Sequence, residues 1–148
     1  MLITVKNKDT LKLDDYVLRC SIGKNGITSK KNEGDKCTPR GKFKLGTLFY
    51  RADRVKKPET NITTNDINSK FYNKIMIINK KIKHEKLFRK DSIYNYLIVI
   101  EYNTIKPKPG KGSAIFLHLT NNYKKTAGCI AVKKKDMLII LKILTKKS

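Results

Sequence analysis

The chain is poor in acidic residues and lacks any long hydrophobic run. Its 148 residues hold 12 Asp and Glu against 34 Lys and Arg, which gives a formal net charge of +22 at pH 7. No apolar stretch is long enough to cross a bilayer, so no transmembrane segment is predicted. The segment from Met1 to Asp9 becomes polar before a signal-peptide core could form, and no export signal is visible. The length is typical of one domain, which we predict to span residues 1–148.

Cysteine is scarce as well. Cys20, Cys37 and Cys129 cannot all pair within one chain, so at least one thiol stays free. No Cys-x-x-Cys spacing occurs, and the sequence therefore predicts neither a zinc site nor a redox dithiol. We expect no cofactor. Cys20 ends a predicted strand and Cys37 falls in a turn, and both are interpreted as small packing residues.

The excess of positive charge is compatible with a polyanionic partner. Counterion release lets basic surfaces bind phosphate backbones, so a basic nucleic-acid-binding module is one candidate function. However, only five of the basic residues are arginine, the lysines are spread along the whole chain, and no RNA-binding aromatic motif or helix-turn-helix pattern accompanies them. We interpret the lysine excess as a compositional bias and expect no specific nucleic-acid partner.

Short alternating segments predict a mainly β fold closed by a C-terminal helix. The helix is predicted over Asp136–Leu144, because apolar residues recur there at helical spacing and an acidic residue stands at its start. Residues 23–41 and 58–68 are rich in turn formers and are predicted to be loops. The predicted strands are Leu2–Val5, Tyr16–Ile22, Lys42–Tyr50, Lys74–Ile78, Tyr96–Glu101 and Ala114–Leu119.

One histidine and one cysteine near the C-terminal end are candidates for a base and a nucleophile. Alternation along the strand places His118 on the same face as Ala114 and Phe116, and a polar loop then leads to Gly128-Cys129. A histidine within reach of a thiol can deprotonate it and return the proton to a leaving group, which is the chemistry of acyl transfer through a thioester. From these residues alone, a small buried cysteine and a structural histidine remain the alternative.

Several segments together resemble the L,D-transpeptidases of the YkuD type. They are Thr38-Pro-Arg-Gly-Lys-Phe43, which resembles the Thr-Pro-x-Gly-x-Phe segment of that family, Phe116-Leu-His118, and Thr126-Ala-Gly-Cys129, which resembles its Ser/Thr-x-Gly-Cys turn. Residues 48–54, 84–91 and 110–118 are similar to a branch of small members. The order and spacing of these segments cover nearly the whole chain.

The resemblance implies a β-sandwich and a role for each matching residue. Cys129 is the expected nucleophile, His118 the general base and acid, and the backbone N–H groups of Gly128 and Cys129 the oxyanion hole. The expected substrates are peptidoglycan stem peptides: the thiolate attacks the amide after the third residue, expels the terminal D-residue and passes the acyl group to an amine. With water as acceptor the same site makes an L,D-carboxypeptidase. A cell-envelope location is expected from the family.

The sequence departs from many relatives on both sides of the cysteine. Ala127 and Ala131 stand where relatives have His and Arg, so the partner of the substrate carboxylate is left open among the lysines and the arginines. His84 and Arg89 are candidates for lining the substrate groove, with a surface position as the alternative for His84. One histidine and one carboxylate are too few ligands for a metal, and no metal is expected.

Overall fold

The structure is a computed structural model that describes residues 2–67, 90–104, 106, 108–112 and 115–144. These residues form short strands and a C-terminal helix, Lys134–Ile143. The strands are β1 (Ile3–Lys6), β2 (Thr10–Leu13), β3 (Tyr16–Arg19), β4 (Ile27–Thr28), β5 (Thr38–Pro39), β6 (Leu45–Tyr50), β7 (Thr64–Asp66), β8 (Tyr96–Ile100), β9 (Phe116–Leu119) and β10 (Ile130–Val132).

The strands make two main sheets and one short pair. In the first sheet, β1, β2 and β3 follow one another as an antiparallel meander. The second sheet has the order β10-β9-β8-β6-β7, in which β8 runs antiparallel to both of its neighbours while β10 pairs with β9, and β7 with β6, in parallel. The short pair joins β4 to β5 in parallel. The expected mainly β sandwich with a C-terminal helix is confirmed.

The five-stranded sheet is apolar on both faces. One face packs on the three-stranded sheet and on the helix, in a single large core cluster that includes Leu11, Ile98, Leu117 and Leu141. Because side chains alternate along a strand, the intervening residues point to the other face and form a smaller cluster. Its members are Phe49, Ile67, Tyr94, Leu97, Val99, Phe116 and Cys129. The second cluster therefore lies on the opposite face of the sheet from the helix.

The helix begins two residues before its predicted start. Its N-terminal flanking residue, Lys133, makes no side-chain capping bond, whereas Asp136 lies in the first turn, where a carboxylate is favourable. Met137, Ile140 and Leu141 are fully buried, because the helix presents its apolar stripe to the main core. The apolar spacing in the sequence thus predicted the right element.

The predicted set of strands was incomplete. β2 and β10 were not predicted, and residues 23–41 and 58–68, which were predicted to be loops, contain β4 and β5 and β7, respectively. Each of these strands has only two to four residues, too few for a clear alternation, and β4, β5 and β7 are formed by parallel pairing with a partner that the local sequence does not reveal. The predicted strand Lys74–Ile78 lies outside the described residues.

Candidate active site

Two adjacent parallel strands bring His118 and Cys129 to one face of the five-stranded sheet. In the register of β9 with β10, the Cα of Ala131 is paired with that of His118. Cys129 precedes Ala131 by two residues, so its side chain points to the same face as those of Ala131, His118 and Phe116. This is the face of the smaller cluster. The expectation that His118 and Phe116 share a face is met, and Ala114 lies outside the described residues.

The Cys129 side chain is held at the edge of that cluster. The residue is 9% exposed, and the backbone N–H of Phe116 donates a hydrogen bond to its Sγ at 3.3 Å. Phe116 belongs to the histidine strand, so the sulfur is bonded directly to the element that carries His118.

The His118 ring is fixed by its own strand and by an aromatic neighbour. Its Nδ1 lies 2.7 Å from the carbonyl oxygen of Leu119. Since a carbonyl only accepts hydrogen bonds, Nδ1 carries the hydrogen, and Nε2 holds the lone pair of the neutral ring. The Tyr94 ring meets the imidazole edge to face, at 5.3 Å between centroids. A backbone carbonyl thus occupies the place of an orienting carboxylate at Nδ1, and the contact with Tyr94 was not predicted from the sequence.

The turn before Cys129 requires glycine. Gly128 has a φ of 142°, and a Cβ at this position would lie 2.8 Å from the carbonyl oxygen of Cys37. The hydroxyl of Thr126 accepts a hydrogen bond from the Gly128 N–H at 3.1 Å and donates to the carbonyl oxygen of Cys129 at 2.5 Å. The residues on either side of the turn are thus tied together by one side chain, which explains why a threonine begins this segment.

The Thr-Pro segment packs against the same turn. The hydroxyl of Thr38 donates to the carbonyl oxygen of Gly128 at 2.8 Å and accepts from the N–H of Gly23 at 2.9 Å. Thr38 is 5% exposed. It therefore links the first half of the chain to the cysteine turn through bonds that are shielded from water, and gives this segment a structural reason to contain threonine.

A partly buried ion pair lies beside the Thr-Pro segment. Lys31 donates from Nζ to Oδ1 of Asp35 and to the carbonyl oxygen of Cys37, both at 2.8 Å. Burial opposes ionisation of Asp35, but hydrogen bonds from Lys31 and from the backbone of Asn32 and Cys37 outweigh it and lower the pKa of this carboxyl. The burial of Lys31 was not predicted, because a lysine in a lysine-rich chain gives no local sign of burial.

The arginines that could bind the substrate carboxylate differ in their burial and in their hydrogen-bond partners. Arg51 is buried and makes a bidentate pair with Asp53, at 2.7 and 2.6 Å. Arg54 donates to the backbone carbonyl oxygens of Asp91 and Lys90, while Arg40 is exposed. His84 and Arg89 lie outside the described residues. Within the part of the chain that is described, no group of three or more His, Cys, Asp or Glu side chains could hold a metal ion.

Comparison with known families identifies the family of this chain. The family model for the L,D-transpeptidase catalytic domain, YkuD, matches residues 2–148. The chain therefore belongs to the L,D-transpeptidase catalytic domain family. No curated protein and no solved structure gives a significant match. Among the described residues, no helix is both long enough and apolar enough to cross a membrane.

Proposed function

We propose that this protein is a cysteine-dependent L,D-transpeptidase that acts on peptidoglycan stem peptides in the cell envelope. Cys129 is the nucleophile, and His118 is the general base and acid. The observation that carries the proposal is the placement of both side chains on one face of the sheet, with His118 in β9 and Cys129 directly before β10. The family model matches this chain almost from end to end. We also propose that the chain is a single domain, because one core cluster joins both main sheets and the helix.

The geometry gives each side chain a step in the reaction. His118 Nε2 takes the proton of the Cys129 thiol, because Nδ1 is held as the donor to Leu119. The thiolate attacks the carbonyl carbon of the amide after the third stem residue. When the tetrahedral intermediate collapses, the imidazolium returns the proton to the leaving nitrogen, and the terminal D-residue departs. An amine then attacks the thioester, loses its proton to His118 and leaves with the acyl group.

Backbone N–H groups at the cysteine turn are proposed to stabilise the negative charge on the intermediate. The N–H groups of Gly128 and Cys129 are the candidates. That of Gly128 donates to the Thr126 hydroxyl in this structure, so the threonine side chain must rotate before this N–H can reach a substrate oxygen. The N–H of Cys129 therefore has the leading role in our proposal, with Gly128 joining once substrate is bound.

Intact-mass spectrometry tests the proposal directly. The protein is incubated with a tetrapeptide stem or with a carbapenem, since relatives are acylated by such lactams, and the expected product is one acyl adduct per chain. Cys129→Ala and His118→Gln should both remain unmodified while staying folded. An unmodified native protein, or an adduct that persists in Cys129→Ala, contradicts the proposal.

The acyl acceptor is determined by a second measurement on the same protein. A transpeptidase forms a cross-linked or amine-extended product when an amine acceptor is supplied with the tetrapeptide. A carboxypeptidase instead yields the tripeptide with or without the amine. Exclusive release of tripeptide would assign the L,D-carboxypeptidase reaction to the same site.

A further inference from the structure

The one buried lysine of the described residues lies next to the cysteine turn. Its side chain is 5% exposed, in a chain that is rich in lysine throughout. Burying an ammonium group is costly unless it is paired and hydrogen-bonded, and Lys31 is both, through Asp35 and the Cys37 carbonyl oxygen. A position that keeps a charge at this cost has a structural or functional reason for it.

Lys31 packs closely against Gly112 and lies beside Gly128. A Cβ on Gly112 would lie 3.0 Å from Cε of Lys31, and a Cβ on Gly128 would lie 3.5 Å from its Nζ. Gly128 immediately precedes Cys129, and Gly112 lies in the segment that leads into the histidine strand. Lys31 therefore lies close both to the residue directly before Cys129 and to the segment that precedes the His118 strand.

Cys37 and Thr38 connect Lys31 to the nucleophile turn. Its Nζ holds the carbonyl oxygen of Cys37, which is the atom closest to the Cβ position of Gly128. The next residue, Thr38, donates to the carbonyl oxygen of Gly128. A shift of the Cys37–Thr38 backbone would therefore move both the contact and the hydrogen bond that fix Gly128.

We propose that Lys31 is a positioning residue, which sets the Gly128–Cys129 turn by anchoring the Cys37 carbonyl oxygen and Asp35. This inference rests on the proposed function, in which Cys129 is the nucleophile. We expect Lys31 to act on the rate of thioester formation and not on the binding of the substrate, because two of its three N–H donors are held by Asp35 and the Cys37 carbonyl oxygen. Misplacing a nucleophile by about 1 Å can slow a reaction by roughly 100-fold.

The test compares Lys31→Met with Lys30→Met. The two variants remove the same charge at adjacent positions, but Lys30 is exposed and its side chain has no role in the turn. Acylation by a carbapenem is followed over a range of concentrations, which separates the limiting rate constant from the half-saturating concentration. We expect Lys31→Met to lower the rate constant about 10- to 100-fold, with the half-saturating concentration within about twofold of the native value. Lys30→Met should match the native protein.

Hydrogen exchange supplies a readout that does not depend on the reaction. In Lys31→Met the amides of residues 126–129 should exchange faster than in the native protein and in Lys30→Met, because the turn has lost its anchor. Native protein that is not acylated would refute the proposed function, and the exchange data would still decide whether Lys31 holds the turn. If Lys31→Met does not fold, the double variant Lys31→Met/Asp35→Asn, which leaves no unpaired charge, takes its place.

Two results would overturn the inference. One is a folded Lys31→Met protein with native acylation kinetics and native exchange at the turn. The other is a raised half-saturating concentration with an unchanged rate constant, which would make Lys31 an anchor for the substrate carboxylate.

Discussion

The Thr38 hydroxyl donates a hydrogen bond to the carbonyl oxygen of Gly128, across 90 residues of sequence. The same hydroxyl accepts from the N–H of Gly23, so one buried oxygen joins three separate segments of the chain. In the proposed mechanism this bond fixes the residue directly before the nucleophile. The Thr-Pro segment is therefore better understood as part of the support of the cysteine turn than as a surface loop.

Thr38→Val tests that support. Valine has nearly the same shape but leaves the Gly23 N–H and the Gly128 carbonyl without their partner, so we expect a loss of about 1–3 kcal/mol in the free energy of unfolding. Acylation of Cys129 should slow by about tenfold or more. Chemical denaturation and carbapenem kinetics measure the two effects. Thr28→Val is the control, because the Thr28 hydroxyl accepts a single bond from an exposed N–H; equal effects of the two variants would contradict the prediction.

Gly128→Ala should be far more damaging than Gly26→Ala. Both glycines have a positive φ, which costs an alanine roughly 1–2 kcal/mol. At Gly26 the added methyl group meets nothing within 4 Å, whereas at Gly128 it meets the Cys37 carbonyl oxygen at 2.8 Å. We therefore expect a total loss of about 2–5 kcal/mol at Gly128. Thermal and urea unfolding of the two variants give the comparison, and a Gly128→Ala protein as stable as Gly26→Ala would show that the backbone can yield here.

Cys20 and Cys129 should differ in their reactivity. Burial, with a contribution from Asp9, raises the pKa of Cys20 to about 11, so this thiol stays protonated at neutral pH and should be alkylated only in strongly alkaline solution. Cys129 should be the site of carbapenem acylation at pH 7, and Cys129→Ala should abolish it. Peptide mapping after acylation identifies the modified residue. Loss of acylation in Cys20→Ser or Cys37→Ser, with the fold intact, would mean that the nucleophile is a different thiol.

Asp35 should contribute to stability in a pH-dependent manner. Its folded pKa is lowered, so the unfolded chain binds the proton first as the pH falls. The contribution is present above pH about 4, the ordinary value for an aspartate, and is lost as the pH falls through the lower folded value. Asp35→Asn should therefore flatten the decline in unfolding free energy below pH about 4. The exposed Asp15→Asn is the control, and a parallel decline in all three proteins would contradict the assignment.

Local pattern predicted the histidine strand and the helix, but neither the strand β10 that follows Cys129 nor the surroundings of the site. Alternation in β9 gave the face of His118, and apolar spacing gave the helix, because both are properties of neighbouring residues. The burial of Lys31 and the contact of Tyr94 with His118 depend on residues brought together by the fold, to which a single sequence gives no local clue. The short strands β4 and β5 likewise exist only as a pair.

The salt dependence of binding and of acylation should distinguish an enzyme from a nucleic-acid-binding module. Tyr16 is the one largely exposed aromatic side chain among the described residues, while Phe43, Tyr50, Tyr102 and Tyr123 are partly buried. We therefore expect no row of open rings on which successive bases could stack. Binding to DNA or RNA should then rest on lysine–phosphate attraction alone. It should weaken by about 1,000-fold or more as the salt concentration rises from about 50 to 200 mM, if six or more phosphates are contacted.

Acylation of Cys129 by a small neutral lactam should change by less than about twofold over the same range of salt, because it depends on local geometry and thiolate formation and not on the long-range field. Fluorescence anisotropy with labelled oligonucleotides and acylation kinetics in matched buffers give the two curves. Cys129→Ala should bind the oligonucleotides as the native protein does, since the sulfur takes no part in that attraction. Tight, sequence-selective binding that resists salt, together with an unreactive Cys129, would favour the nucleic-acid-binding module over the enzyme.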